Sequence, residues 1–538
     1  MKLQNNVLQE FAMKKKGGHV LFSASDLNAF IDCRHKTVLS LKDISERLQR
    51  AGDSDHDCLI KKKGSEHEAT YLYKLKSSGL SVVEIPSGVD LKQGVRLTLE
   101  AMGEGPDYIY QAVLWNGQWH GYVDLLKRVE TPSKFGSFSY EAVDTKLSKQ
   151  PKPCHVIQLC VYSDLLEQCQ NAPPLSFSVV LGSGEEKSFL FQDFAHYYAA
   201  IKRQFEAFVG SADPNSRPFP CTACSLCHWR NLCGEQWIRE DHLGQVADIR
   251  RSQINKLEKA GIATLENLAH LGEDASIPQI AEPTLDTLKS QARLQLTKRE
   301  TGKGEIEHLQ IAEERGFSLL PKPDPNDLFF DMEGNPHHPG GLEYLFGIFY
   351  NIGDTSVFKP FWAHDEEQEK QAFQKVMDFI CAHLAKYPDA HIYHYNHYET
   401  TALTHLAAKY ASREENLDHL LRNKKFVDLY RIVKQAIRTS APGYSIKDLE
   451  PFYMKKREGD VANAQESIVV YDQWCTTQDD ALLKQISDYN EFDCRSTYLL
   501  QQWLLDLRPA EIEFYNGTET TSEKTQENRK EAGKRHVR

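Results

Sequence analysis

The sequence predicts an α/β chain of two mixed domains joined by a helical connector, and three observations carry that prediction. Its 538 residues exceed one ordinary domain, since domains cluster near about 100–150 residues. From about residue 327 onward, short apolar runs at 328–330, 344–350 and 391–395 alternate with amphipathic helices at 366–384 and 479–505. Helical and strand periods also mix over 21–240, with a hairpin signal at Asn116-Gly117, whereas 241–320 reads almost wholly helical and exits at Pro321, Pro323 and Pro325. The expected division is a first domain at 1–240, a connector at 241–320, a second domain at 321–516 and a disordered tail at 517–538. Residues 1–20 and the tail lack a hydrophobic period, so both ends are expected to be mobile.

Apolar residues at 41% and charged residues at 26% suffice for real cores and exclude a disordered or collagen-like chain. A net charge of −12 excludes a polycation that coats nucleic acid, so any nucleic-acid contact must be local. Lys61-Lys62-Lys63, Lys424-Lys425 and Lys455-Lys456-Arg457 are short and read as solvated loops before phosphate tracks. No stretch approaches the roughly 20 apolar residues of a membrane span, and Met1-Lys2-Leu3-Gln4-Asn5-Asn6 lacks a signal-peptide core, so a cytoplasmic protein without membrane association is expected.

The run Phe138-Ser139-Tyr140-Glu141-Ala142-Val143-Asp144-Thr145-Lys146 reads as a strand whose period of two sets Asp144 and Lys146 on one face. Asp124, in Gly121-Tyr122-Val123-Asp124-Leu125-Leu126, ends the second hairpin strand and can reach a metal held by Asp144. Gln158 and Tyr162 stand i, i+4 on the helix 155–167, where they could position a phosphate backbone. Phosphodiester hydrolysis needs this equipment: carboxylates for a hard cation such as Mg2+ or Mn2+, and a lysine to orient water or steady developing charge. An isolated Asp-x-Lys is more often a surface ion pair. In the order Gly-x-x-Asp, Asp-x-Lys, Gln-x-x-x-Tyr, however, the set resembles the RecB-type branch of the PD-(D/E)XK nuclease superfamily. That resemblance implies a restriction-endonuclease-like mixed sheet flanked by helices. It also implies a metal-ligating histidine on a helix before the first strand, a place that His67 occupies in Gly64-Ser65-Glu66-His67-Glu68.

Twelve cysteines in a reducing compartment do not suggest a disulfide framework, and Cys221, Cys224, Cys227 and Cys233 crowd into one stretch. The spacing Cys224-x2-Cys227-x5-Cys233 puts three thiolates on one loop, and a fourth soft ligand would close a four-coordinate site. Cys33 is the candidate, at the end of a capped helix start, Ser23-Ala24-Ser25-Asp26-Leu27-Asn28-Ala29-Phe30-Ile31-Asp32-Cys33. This segment resembles the opening of RecB-like nucleases that carry a [4Fe–4S] cluster. The resemblance implies that Cys33, Cys224, Cys227 and Cys233 hold such a cluster in a structural role. Zn2+ on Cys221, Cys224, Cys227 and Cys233 is the rival.

In the connector, Leu257-Glu258-Lys259-Ala260-Gly261-Ile262-Ala263-Thr264-Leu265 resembles a helix-hairpin-helix element, which either holds a DNA phosphate or acts as a plain spacer.

Leu328-Phe329-Phe330-Asp331-Met332-Glu333-Gly334 is an apolar strand whose two carboxylates leave one face while Met332 points the other way. Tyr489 and Asp493 share a helix face in Tyr489-Asn490-Glu491-Phe492-Asp493, and Glu399 follows the 391–395 strand. Such acids suit two-metal phosphoryl hydrolysis. Together they resemble the DnaQ-like, RNase H-fold 3′–5′ exonucleases, in the family where such a domain follows a RecB-like nuclease. The resemblance implies metal ligation by Asp331, Glu333, Glu399 and Asp493 and water positioning by Tyr489, with His397 a competitor for that role. Glu399 departs from the usual Asp of the second motif, and Asp428 is an alternative ligand or a structural acid.

The combined resemblance spans roughly 21–510. It implies a metal-dependent DNA nuclease with two hydrolytic sites, acting on single strands or ends in DNA repair, recombination or defence against foreign DNA. The chain has no Gly-x-x-x-x-Gly-Lys-Ser/Thr loop, so an unwinding helicase would be a partner in trans. Rival readings are an RNA-processing exonuclease and a catalytically inactive nucleic-acid-binding scaffold.

Overall fold

The structure, a computed structural model, describes residues 13–16, 19–211, 216–455, 461 and 463–515. The tail expected to be disordered, 517–538, lies outside the described residues, as do Lys456 and Arg457 of the third basic run. The chain is α/β, with two large mixed sheets. At the start, Lys14–Lys16 pairs antiparallel with His19–Leu21 and Met13 is buried, so part of the segment expected to be mobile is tied into the first core.

The first large sheet has the spatial order Val82–Glu84, Tyr108–Trp115, His120–Val129, Ser139–Thr145, Ser176–Val180, Glu186–Leu190. The first and second strands run parallel, as do the fourth and fifth, and the remaining neighbours are antiparallel. The Asn116-Gly117 turn forms as the sequence predicts: Gly117 takes φ 101°, and Asn116 Oδ1 accepts from the Trp119 amide at 2.8 Å. Strand alternation sorts the side chains by face. Leu126, Ala142 and Val179 join the core shared with Leu159 and Leu165 of the helix Pro153–Gln170, while Leu125, Val143 and Val180 meet Tyr71 and Leu75 of the helix Asp55–Ser77. Asp124 and Asp144 are in step with Leu126 and Ala142, which turns both toward the 153–170 helix.

The connector segment has its own small core, in which Ile254 and Leu257 of Arg251–Lys259, Leu268 of Leu265–Ala269 and Leu285 of Glu282–Thr301 are buried together. Its last part, Ile306–His308, pairs with Ile437–Thr439 and so packs with the second domain.

The second large sheet has the order Thr355–Trp362, Leu342–Ile352, Leu328–Asn335, Ile392–His394, Phe426–Asp428. The first three strands are antiparallel, and the last two join parallel. Leu328, Phe330 and Met332 face a core built with the helices Glu366–Lys386 and Tyr398–Tyr410. Phe329 faces the opposite core, with Leu429 of Leu429–Ala436 and Leu500 of Asp480–Leu507. Asp331 and Glu333 therefore leave the strand toward the 480–507 helix. No helix among the described residues is long and apolar enough to cross a membrane.

Candidate active sites

In the first domain the strand pair carrying Asp124 and Asp144 meets the 153–170 helix. Asp144 is fully buried, and its Oδ2 lies 2.6 Å from Lys146 Nζ. Gln158 Nε2 stands 3.4 Å from Asp144 Oδ1 and donates to the Tyr162 hydroxyl at 2.8 Å. Asp124 Oδ2 accepts from the amide and hydroxyl of Thr145, both at 2.8 Å. Burial, reinforced by the neighbouring Asp124, pushes the Asp144 carboxyl up to about 7 although Lys146 pulls it down. Burial opposes the Lys146 ammonium, but the two carboxylates hold its pKa above the ordinary lysine value. Gly121 has a packing reason: a Cβ there would come within 2.6 Å of the Tyr162 ring.

The 55–77 helix brings Glu68 to this region. Its neighbour His67 is half-buried with an Nε2 that has no hydrogen-bond partner, but among the described residues His67, Asp124 and Asp144 do not bring their ligand atoms within 4.8 Å of one another. Glu68, which sequence reasoning missed, feels burial and the Asp124 charge, both of which raise its pKa, and it bonds with Gln111. Gln111 adopts φ 56° within a strand, and the pairing register skips it opposite Asp124. A left-handed non-glycine residue costs on the order of 1 kcal/mol, and here that strain sits at the acidic cluster.

In the second domain Asp331, Glu333 and Asp493 offer carboxylate oxygens that all lie within 4.8 Å of one another. Asn490, one turn from Asp493, sends Nδ2 to Asp331 Oδ2 at 2.7 Å. Gly347 is the strand partner of Asp331, and a Cβ there would collide with Asn490 Oδ1, so glycine permits the helix to come this close. Lys447 Nζ donates to the Tyr489 hydroxyl at 3.0 Å, and that hydroxyl bonds in turn with Asp493. Burial and then repulsion from Asp493 push Glu333 up to about 8 and lift Asp331 well above the carboxylate range. Acids this close cannot all ionise without a cation.

Glu399 opens the 398–410 helix, is buried, and sets Oε2 3.4 Å from His394 Nδ1. Its charge bears on Asp331, although it stands outside the three-acid cluster. Asp428 caps the 429–436 helix, and its Oδ1 accepts from the amides of Tyr430 and Asn396, both at 2.9 Å, a structural use of that oxygen. His397 is exposed and turned to Asn396 Oδ1 at 2.7 Å, whereas Tyr489 bonds to an acid of the cluster.

A family model described as the RNase H superfamily matches residues 328–505. The match begins on the strand of Asp331 and Glu333 and ends on the helix of Asp493. Residues 328–505 form an RNase H-like domain. No curated protein matches the chain. Within the RNase H-like domain, sequence reasoning missed three residues. Asn490 carried a readable signal, because an amide one residue after Tyr489 lies on the same helical stripe as Asp493. Lys447 and Ser467, which hydrogen-bonds Glu333 and lies 2.7 Å from the Tyr344 hydroxyl, carried none.

Five cysteines converge elsewhere in the first domain. Cys33 ends the helix Ala24–Asp32 and lines one small cavity with Cys221, Cys224, Cys227, Cys233, Trp229 and Trp237. Cys221 Sγ and Cys224 Sγ are 3.7 Å apart, and the amides of Cys221 and Trp229 point at the sulfurs of Cys224 and Cys227 at 3.3 and 3.4 Å. Burial pushes the Cys224 thiol up to about 11 and the Cys233 thiol to about 12, and neighbouring sulfurs add to both. A tetrahedral zinc with Zn–S near 2.3 Å needs every sulfur pair near about 3.8 Å. Among the described residues no three of these sulfurs fall within 4.8 Å of one another.

In the connector hairpin Gly261 takes φ 85°. The Glu266 amide at the start of the 265–269 helix is already bonded to Asp241 Oδ2 at 2.8 Å, and Arg299 holds the same carboxylate. That arrangement supports the spacer reading.

Proposed function

We propose that this chain is a divalent-metal-dependent DNA nuclease with two hydrolytic centres, a RecB-type PD-(D/E)XK centre followed by a 3′–5′ exonuclease centre in the RNase H-like domain. The observation that carries the reading is the three-acid cluster of Asp331, Glu333 and Asp493, set on the strand and helix that the RNase H superfamily match spans. Asp331, Glu333, Asp493 and Glu399 would hold Mg2+ or Mn2+ in the second centre, and Asp124, Asp144 and His67 in the first. Such ions, when bound, generate a nucleophile at neutral pH and stabilise the leaving oxygen. The protein's own groups do the rest. Lys146 sets a positive charge beside Asp144, Gln158 and Tyr162 offer polar groups to a backbone, and Tyr489, tethered by Lys447, orients a hydroxyl at Asp493.

Cys33, Cys224, Cys227 and Cys233 would hold a [4Fe–4S] cluster that ties the two ends of the first domain together, a reading supported by the cavity that Cys33 shares with the 221–233 loop; Zn2+ on the local cysteines is the alternative. DNA, as single strands or ends, is the proposed partner, with a helicase acting in trans and a cytoplasmic role in repair, recombination or defence. RNA is the second substrate reading, which an RNase H-like domain alone would permit.

The test follows 5′- and 3′-labelled single-stranded DNA and matched RNA with Mg2+ or Mn2+, using wild type, Asp144→Ala, Asp331→Ala and the double variant. Different product ladders for the single variants and none for the double variant are expected. Undiminished cleavage by the double variant would sink the assignment, and faster loss of RNA than DNA would move the substrate.

A further inference from the structure

The two carboxylate centres are joined across the domain boundary in two places. The 55–77 helix, which carries His67 and Glu68, packs along the helix Ala464–Thr477, which carries Ser467, the hydrogen-bond partner of Glu333. Lys63 Nζ lies 2.7 Å from Asp472 Oδ1 in that seam, and His56 Nε2 lies 3.4 Å from His337 Nε2 beside it.

The second junction is the loop between Thr145 and Pro153. Lys149, three residues past Lys146, reaches the 336–341 turn of the RNase H-like domain so closely that a Cβ on Gly341 would collide with its Nζ. Its charge bears on Glu343, whose Oε2 accepts from the Tyr398 hydroxyl at 2.9 Å. Glu343 is the strand partner of Gly334, next to Glu333, and Tyr398 remains 47% exposed immediately before Glu399.

The distances are short. Lys146 to Lys149 spans at most about 10 Å of chain, the Lys149 side chain covers about 10 Å to Gly341, and Gly341 reaches Glu333 across the Leu342–Asn335 strand pair in about 16 Å, so the two centres lie within roughly 35 Å of each other. A polyanionic strand approaching two acidic clusters is repelled by both, and on a chain of net charge −12 it needs a local cation between them. Lys149 is exposed at that place, on a flexible stem that delivers a point charge to a phosphate.

We propose that the two centres serve one nucleic-acid strand laid across the domain seam, with Lys149 of the first domain holding a backbone phosphate on the way into the second centre. A strand cut at the first centre is then trimmed at the second before it leaves the protein. This rests on the two-nuclease reading, and the experiment separates the two.

Full-length protein is loaded with 5′-labelled single-stranded DNA, Mn2+ starts the reaction, and excess unlabelled strand is added with the metal as a trap. Wild type trims its cut strands despite the trap. In Lys149→Glu the fraction trimmed before release falls about fivefold or more, as expected for a lost phosphate contact replaced by repulsion, and Lys149→Arg restores it. Asp144→Asn and Asp331→Asn report the individual ladders. If either ladder is absent from the wild type, the two-nuclease reading fails and the shared strand falls with it. If both ladders are present but the trap abolishes trimming in wild type as it does in Lys149→Glu, the shared strand alone is overturned.

Discussion

Asn490 Nδ2 reaches Asp331 Oδ2 at 2.7 Å by passing over the glycine at 347, so the second centre depends on a residue that has no side chain. Asn490 is fully buried, and its side chain hydrogen-bonds both Asp331 and Glu333, so one amide ties the two strand carboxylates together. Gly347→Ala is expected to push the 480–507 helix off the sheet. Overpacking of this kind lowers stability by about 1–3 kcal/mol, read as a lower Tm, and Mn2+ binding at the second centre weakens with it. Asn490→Ala, which keeps the helix in place, separates the two effects: it should weaken metal binding about tenfold or more with a smaller change in Tm.

Gly121 and Tyr162 make a parallel relationship in the first centre. Gly121→Ala is expected to displace the Tyr162 ring and with it the Gln158 hydrogen bond, abolishing the first product ladder while the second persists. Tyr162→Phe removes the hydroxyl without moving the ring. A ladder from Gly121→Ala indistinguishable from wild type would refute the packing argument.

Without a divalent ion, stability should depend on pH with a definite sign. Glu333 stands at about 8 against an ordinary 4.5, and Asp144 at about 7 against 3.8, so the native state keeps protons that the unfolded chain releases. The stabilising contribution is present below the unfolded values and lost as pH rises through about 7 to 8. Thermal unfolding in chelator at a series of pH values should show Tm falling over this window. Saturating Mn2+ should reverse the fall, because in the proposed centres the ionised carboxylates would be the ligands. A Tm that rises over the same window in chelator would contradict the sign.

The cysteine cavity makes a compositional prediction. Protein purified without oxygen should carry about four irons and absorb in the visible, and Cys33→Ser should lose iron and lower Tm, because the ligand joins the Ala24–Asp32 helix to the distant 221–233 loop. Stoichiometric zinc that survives Cys33→Ser but not Cys221→Ser would assign the site to the local cysteines instead.

Lys447 offers a last check on the second centre. Lys447→Met should slow trimming by about tenfold while leaving Mn2+ binding by the three acids in place, because the lysine acts through the Tyr489 hydroxyl. Equal losses in Tyr489→Phe and in the double variant would show the two residues acting as one unit.

Local pattern was enough to read much of this protein from its residues alone. Strand alternation placed Asp331 and Glu333 opposite Met332, and the structure sorts them in that way, with Met332 in the core of the 366–386 and 398–410 helices. Asn116-Gly117 marked its hairpin because only a turn that tolerates positive φ joins strands so tightly. Helical spacing put Gln158 and Tyr162 together, and they are hydrogen-bonded at 2.8 Å. These are interactions within a few residues, where backbone geometry fixes which side chains meet.

Tertiary structure decided the rest, because those relationships depend on contacts between residues far apart in the chain. Glu68 entered the first centre through the strained backbone at Gln111, and Lys447 met Tyr489 across forty-two positions. Asp428 has a capping use that periodicity did not show, with its Oδ1 taken by the amides of Tyr430 and Asn396. Cys33 joined the other cysteines only because two distant segments fold against one cavity. Sequence periodicity determined which face of its own element each acid occupies; which acids, lysines and glycines stand opposite one another was settled by how sheets and helices pack.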